Sequence, residues 1–141
     1  MKQAKGQEIN TEPSQQSESI EGASSLKRAC LCAQVCDEFK GKDIVVLDVA
    51  KITPLFDYFI IATSSNMRQS HAIADEVRIL MKRDSTHRRN IEGKDSEWIL
   101  GDYGDIVLHI FTEDARELYD LERLWADAKK VDWQPSKADP E

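Results

Sequence analysis

The stretch Tyr58-Phe59-Ile60-Ile61-Ala62-Thr63 decides the fold, because it is short and almost continuously apolar. Such a run is typical of a strand that is buried on both faces of a sheet. A second run of this kind, Ile44–Val49, lies before it, and Pro54 breaks the chain between the two. The two runs therefore predict two buried strands.

Helices are predicted on either side of this pair of strands. Apolar residues recur at helical spacing from about Ser25 to Phe39, where Ser24 or Ser25 can cap the start and Gly41 can end the helix. A second helix is predicted over about Met67–Arg83, after a capping cluster at 64–66. Its inward stripe follows the 3.6-residue period and consists of Ser70, Ile73, Ala74, Val77, Leu80 and Met81.

The second half of the chain predicts an antiparallel hairpin. Arg88–Glu92 is a weak strand candidate, whereas Trp98–Leu100 and Ile106–Thr112 are stronger ones. The turn Asp102-Tyr103-Gly104-Asp105 joins the stronger two, and its glycine suits positive φ.

The last predicted helix starts from a cap at Thr112 and ends near Lys129 and Lys130. Its apolar stripe is Leu118, Leu121 and Trp125. The order of elements predicts an α/β fold with a mixed sheet of four to five strands and flanking helices.

The chain has 141 residues, of which 40% are hydrophobic and 32% charged, and this length and composition predict a single folded domain. We expect a disordered acidic tail over 1–24, the α/β domain over 25–133 and a second disordered tail over 134–141. The sequence has no apolar run long enough to span a membrane and no signal-peptide core. With a net charge of −7, little direct nucleic-acid contact is expected, and the cytoplasm is the default location.

Candidate metal and nucleophile sites are weak in this sequence. Cys30, Cys32 and Cys36 are explained by helix burial, although a zinc site stays open. Three histidines, His71, His87 and His109, form a metal site only if the fold gathers them. The sequence therefore predicts no metal and no cofactor.

An enzymatic function is the alternative interpretation of this sequence. Ser64 and Ser65 follow a strand and precede a helix, where a phosphate can bind helix-terminal N–H groups. With Mg²⁺ held by clustered carboxylates such as Asp102 and Asp105, they suggest a nucleotidyl- or phosphoryl-transfer domain. However, the glycine-rich phosphate motifs and an Asp-x-Asp pair are absent from the sequence.

Charge is distributed unevenly along the chain. Residues 92–132 hold twelve acidic and five basic side chains, together with several aromatic residues, whereas residues 78–89 have a net charge of +4. Aromatic residues among carboxylates favour a docking surface for a basic protein, although solvated faces are the plainer interpretation of both segments.

The ordered motifs resemble the ribosomal silencing factor family, also called the Iojap-like family, over most of residues 26–130. The resemblance is carried by Asp57–Ser65, by Arg68-Gln69 with Ala72-Ile73-Ala74, by Glu92-Gly93, by Trp98–Phe111 and by Arg116–Trp125. One departure is Gly101, which stands where the family usually has a larger apolar residue, so we expect a looser hairpin.

The resemblance implies a fold similar to nucleotidyltransferases without their catalytic pattern, and a protein that is not an enzyme. It implies binding to the large ribosomal subunit through ribosomal protein L-fourteen, which blocks the small subunit and represses translation when nutrients are limited. Ribosome assembly is a further alternative, and a homodimer stays open. The implied ribosomal-protein-binding residues are Trp98, Leu100, Asp102, Tyr103, Gly104, Asp105, His109, Tyr119, Glu122 and Trp125.

Overall fold

A computed structural model describes residues 20, 22–83 and 89–135. In chain order the elements are α1 (Ser25–Glu38), β1 (Lys42–Asp48), β2 (Tyr58–Ser64), α2 (Met67–Met81), β3 (Asn90–Glu92), β4 (Trp98–Asp102), β5 (Ile106–Thr112), α3 (Glu113–Tyr119), α4 (Leu121–Leu124) and β6 (Lys129–Val131). No helix in this part of the chain is long and apolar enough to cross a membrane.

The strands form one sheet in the order β3-β4-β5-β2-β1-β6. Among the strands of the described residues, only β2 and β5 run parallel to each other; the predicted β4–β5 hairpin is antiparallel, as are the remaining pairs. The predicted α/β class and mixed sheet are confirmed, but the sheet has six strands rather than four to five. The central strands β2 and β5 are buried along nearly their whole length, which explains their continuous apolar sequences.

Helices α1 and α2 cover the first face of the sheet. Ser24 and Asn66 cap their starts by accepting hydrogen bonds from the N–H groups of Lys27 and Gln69. The predicted inward stripe of α2 is buried in full. The short helices α3 and α4 lie over the second face, where Trp98, Leu100 and Trp125 stay partly exposed.

The predicted last helix is interrupted at Asp120, and its helical part ends at Leu124 rather than near Lys129 and Lys130. Asp120 adopts a left-handed conformation, with φ 46° and ψ 52°, which ends α3 and turns the chain. Leu118 then points outward and is 76% exposed, whereas the prediction placed it inside. Lys129–Val131 forms a strand because β1 would otherwise leave an edge with unpaired backbone groups, and these residues pair with 46–48.

Both ends of the described chain pack onto the domain. Ile20, which falls in the predicted tail, is fully buried in the first-face core. Near the other end, Trp133 donates its indole N–H to the carbonyl of Ile44 at 3.2 Å, and Gln34 donates to the carbonyl of Trp133 at 3.0 Å. Most of the predicted tails, residues 1–19, 21 and 136–141, lies outside the described residues.

Candidate functional site

Strand β4 places alternate side chains on the second face of the sheet. Trp98, Leu100 and Asp102 point to this face, since side chains alternate along a strand and directly opposed residues share a face. Their partners on β5 are Phe111, His109 and Val107. The next strand adds a carboxylate beside Leu100, because Glu92 pairs with Leu100 across the β3–β4 ladder.

Aromatic rings pack in a continuous cluster on this face. The ring of Trp98 lies 5.0 Å from Phe111 and 4.9 Å from Tyr119, measured between ring centroids. Phe59 meets Trp125 edge-on at 4.9 Å. Since large rings that pack against one another lose little further freedom on binding, this cluster is suited to presenting rigid contact residues.

His109 supports the cluster from within. Its Nδ1 accepts a hydrogen bond from the indole N–H of Trp98 at 3.1 Å, and only 4% of the side chain is exposed. Burial lowers the pKa of His109 to about 4, so the ring is neutral near pH 7. Because Nδ1 accepts, the ring hydrogen is on Nε2, which is buried without a hydrogen-bond partner among the described residues. His109 is therefore placed to orient Trp98 rather than to touch a partner.

The open part of this face defines what we call the docking surface, and it includes residues that the sequence did not single out. Trp98, Leu100 and Trp125 are half-buried, and Tyr119 is 49% exposed. Leu118 and Leu124 are each 76% exposed on α3 and α4. Periodicity could not identify Leu118 as a surface residue, because the left-handed residue at 120 interrupts the helix on which the periodicity depends.

Tyr103 does not belong to this surface, although the sequence predicted it as a contact residue. Its side chain is 1% exposed and lies in the first-face core. A Cβ added to Gly101 would lie 2.8 Å from Cε2 of the Tyr103 ring. The ring of Tyr103 therefore fills the space that a larger residue at 101 would use.

The hairpin turn is held by contacts that the sequence did not reveal. Gly104 has φ 93°, and its N–H donates to the Asp102 carboxylate at 3.0 Å. Arg28, which is 1% exposed on α1, donates to the Asp105 carboxylate and, at 3.0 Å, to the carbonyl of Tyr103. Predicted contact residues 104 and 105 are therefore part of the turn's own framework.

Glu122 also serves a structural contact. Arg116 donates two hydrogen bonds to its carboxylate at 3.1 and 3.0 Å, and a third to the Thr63 hydroxyl at 2.8 Å. This ion pair lines a groove of about 480 Å³, together with the carboxylates of Asp43, Glu113 and Glu117. The excess of negative charge makes the groove unfavourable for phosphate groups.

The candidate catalytic groups lie far apart. Ser64 is buried and shares a hydrogen bond with Ser70. It stands beside Thr112 at one end of the β2–β5 ladder, whereas Asp105 contacts Tyr58 at the other end. The six residue steps between these ends span roughly 20 Å. Thus Ser64 cannot share a substrate atom with Asp102 or Asp105, as the enzymatic alternative requires.

The described structure also does not bring together the side chains that were candidates for a metal site. His71 lies on α2 over the first face and His109 points to the second, while His87 falls outside the described residues. Within the described ranges, no three His, Cys, Asp or Glu side chains are grouped to hold a metal ion. Cys32 and Cys36 are buried in the core, as helix burial predicted.

What the described residues assemble is a partly exposed aromatic and apolar surface on an α/β domain. Comparison with known proteins then identifies the family. The model of "Ribosomal silencing factor during starvation" matches residues 22–141, and the chain belongs to this family.

Similar proteins include bacterial and organellar members. A ribosomal silencing factor of Chromobacterium violaceum is 39% identical over 100 residues, which are 70% of this chain and 82% of that protein. A crystal structure from the same organism has a TM-score of 0.69 at 34% identity and covers 83% of this chain and 98% of its own. The mouse protein "Mitochondrial assembly of ribosomal large subunit protein 1" is 34% identical over 89 residues, which are 60% of this chain and 39% of that protein.

Proposed function

We propose that this protein silences ribosomes in the cytoplasm by binding the large subunit and blocking its association with the small subunit. The binding partner would be ribosomal protein L-fourteen, and the outcome would be repression of translation when nutrients are limited. The observation that carries the proposal is the partly uncovered aromatic face between β4 and the helices α3 and α4. Membership of the ribosomal silencing factor family supports the same conclusion.

The chemistry of the docking surface fits a basic protein. Its centre is apolar and aromatic, and Glu92 and Asp102 flank Leu100 on the same face of the sheet. A few buried residues, among which aromatic side chains are enriched, provide most of the binding energy at protein interfaces. Charged groups at the edge instead speed association and set its salt dependence. Ribosomal proteins are mostly basic, so this arrangement suits such a partner.

The test uses purified protein and separated ribosomal subunits on sucrose gradients. We expect the protein to migrate with the large subunit and to prevent formation of joined ribosomes. The variant Leu118→Ser/Leu124→Ser should weaken binding about tenfold or more, because each Leu side chain buried on docking contributes on the order of 1–2 kcal/mol. Both side chains are 76% exposed, so the substitutions should leave stability nearly unchanged.

A matched control comes from the opposite face. Leu26 is 43% exposed on α1, and Leu26→Ser should leave co-migration unchanged. Equal binding by the α3–α4 variant and the wild type would rule out this docking surface. Absence of any co-migration of the wild-type protein would rule out the proposed function itself.

Ribosome assembly is the second candidate, because the mouse relative is named for assembly of the mitochondrial large subunit. An assembly factor would use the same docking surface, but it would bind subunit precursors. Normal subunit joining in the presence of saturating protein, with binding to the large subunit intact, would favour assembly over silencing.

A further inference from the structure

Basic side chains gather at the C-terminal end of α2. Arg78 and Lys82 are one helical turn apart, and Arg83 follows the helix directly. All three are exposed. The charge pattern of the sequence already showed a net positive charge in this segment, and none of these three residues belongs to the docking surface.

A fourth cation reaches the same place from the start of β3. Arg89 donates a hydrogen bond from Nη1 to the carbonyl of Lys82 at 2.9 Å, and its side chain is exposed. Four positively charged side chains therefore lie together. Residues 84–88, which are outside the described chain, are not counted in this cluster.

The four cations are not paired with carboxylates of the described residues. Among the described residues, no carboxylate lies within ion-pair distance of any of the four cations. The negative end of the α2 dipole favours Arg78, Lys82 and Arg83, and one N–H of Arg89 caps the helix. All four side chains are exposed to solvent, where they are available to a partner.

We propose that this basic surface, formed by Arg78, Lys82, Arg83 and Arg89, binds the phosphate backbone of ribosomal RNA. Three of the four cations are guanidinium groups, whose planar fork matches a phosphate in two hydrogen bonds. The basic surface lies at the β3 edge of the same sheet, where Asn90, next to Arg89, pairs with Asp102 on β4. This proposal departs from the expectation of little direct nucleic-acid contact.

This inference rests on the proposed function for its choice of RNA. A protein that docks on a ribosomal protein meets the neighbouring ribosomal RNA, and a positive edge would be attracted to its phosphates. The acidic half of the chain would then contact protein while the basic edge contacts RNA. The net charge of −7 hides this division, because it sums two surfaces of opposite sign.

The test compares two variants that each remove two positive charges. Arg78→Gln/Arg83→Gln alters the basic surface. Lys40→Asn/Arg68→Gln alters exposed cations at the other end of α2, where the Lys40 carbonyl accepts from Gln69 and Asn tolerates the local φ of 73°. Circular dichroism should show the same fold for both variants.

Binding to large subunits is measured by sedimentation from 50 to 200 mM salt, and binding to a labelled RNA hairpin by anisotropy. For the Arg78→Gln/Arg83→Gln variant, the slope of log affinity against log salt should become shallower by about 2, and affinity should fall about tenfold near 0.1 M salt. The Lys40→Asn/Arg68→Gln control should keep the wild-type slope in both assays.

An unchanged slope in the basic-surface variant, with wild-type protein bound to large subunits, would overturn the RNA contact and leave the proposed function standing. If wild-type protein did not bind subunits, the proposed function would fail, and the hairpin measurement would still decide whether the basic surface binds RNA. A polyglutamate peptide that bound as tightly as the hairpin would instead identify an acidic protein as the partner.

Discussion

The pair formed by His109 and Trp98 gives a prediction in which stability and docking respond in opposite directions. His109→Phe removes the Nδ1 acceptor and keeps an aromatic ring beside Phe59, whose centroid is 5.0 Å from that of His109. The indole N–H of Trp98 then has no acceptor at this position. Because Trp98 is only half-buried, water can replace part of the lost hydrogen bond.

The two effects on folding nearly balance. Loss of the hydrogen bond between Trp98 and His109 should cost about 0.5–1.5 kcal/mol. The same substitution removes Nε2, a buried nitrogen without a hydrogen-bond partner in the described structure, and this relieves about 1–3 kcal/mol of desolvation. We therefore expect the free energy of unfolding to stay constant or to rise by about 1 kcal/mol.

Docking should weaken because the indole is no longer held in one orientation. Ordering a released side chain on binding costs about 0.5–1.5 kcal/mol, which is roughly 2- to 10-fold in affinity for the large subunit. Urea denaturation measures the stability, gradient sedimentation measures the affinity, and the NMR shift of the Trp98 indole N–H reports its hydrogen bond.

His109→Asn provides the control, because Asn Oδ1 can take the position of Nδ1 and accept the indole hydrogen bond. This variant should keep the indole shift and the affinity, but it should lose about 2 kcal/mol of stability through a cavity and an unpaired amide. The reasoning fails if His109→Phe destabilises the fold by more than about 2 kcal/mol, or if it changes the indole shift while docking stays at the wild-type level.

The remaining predictions concern pH, the buried tyrosine and the hairpin turn. The pKa of His109 is about 4 in the folded protein against an ordinary value of 6.5, so the unfolded chain binds the extra proton between these values. Urea titrations should show unfolding free energy falling by up to about 3 kcal/mol as pH drops from roughly 6.5 to 4, and His109→Phe should lack this component. Tyr103→Phe should leave the melting temperature unchanged or raise it, because the Tyr103 hydroxyl is buried without a partner among the described residues. Tyr103→Ala should instead lower the free energy of unfolding by about 3–5 kcal/mol. Equal losses of stability in the two variants would contradict the burial of the ring. Asp105→Asn should lower the free energy of unfolding by about 2 kcal/mol, because the buried charge of Arg28 then faces a neutral side chain. The loss should be smaller than for a fully buried ion pair, since the side chain of Asp105 is 28% exposed. An unchanged urea midpoint would show that this ion pair does not stabilise the fold.

Local sequence signals were sufficient for most of the fold. The apolar run 58–63 predicted a doubly covered strand, and the 3.6-residue pattern of α2 predicted its buried stripe, because both depend on the spacing of neighbouring residues. The break at Asp120 and the strand at 129–131 were missed, since a left-handed residue and an edge that needs pairing are tertiary effects.

The sequence motif around the hairpin identified the right region but could not assign its side chains. Alternation along β4 directs Trp98 and Leu100 to the open face, while Tyr103, just beyond the strand, packs on the other side over Gly101. Arg28 carried no sequence signal for its role, because its partner Asp105 is 77 positions away.

Composition showed at the outset that the chain is acidic overall, and its charge pattern showed that the two signs occupy different segments. By itself, the sequence therefore determined the fold class, the family motifs and the separation of charge. Only the tertiary structure decided which aromatic residues are exposed, that His109 supports Trp98, and that Arg89 joins the cations of α2. The physical reason is that exposure and charge clustering depend on which surfaces the packed sheet brings together, and distant segments of the chain contribute to each of them.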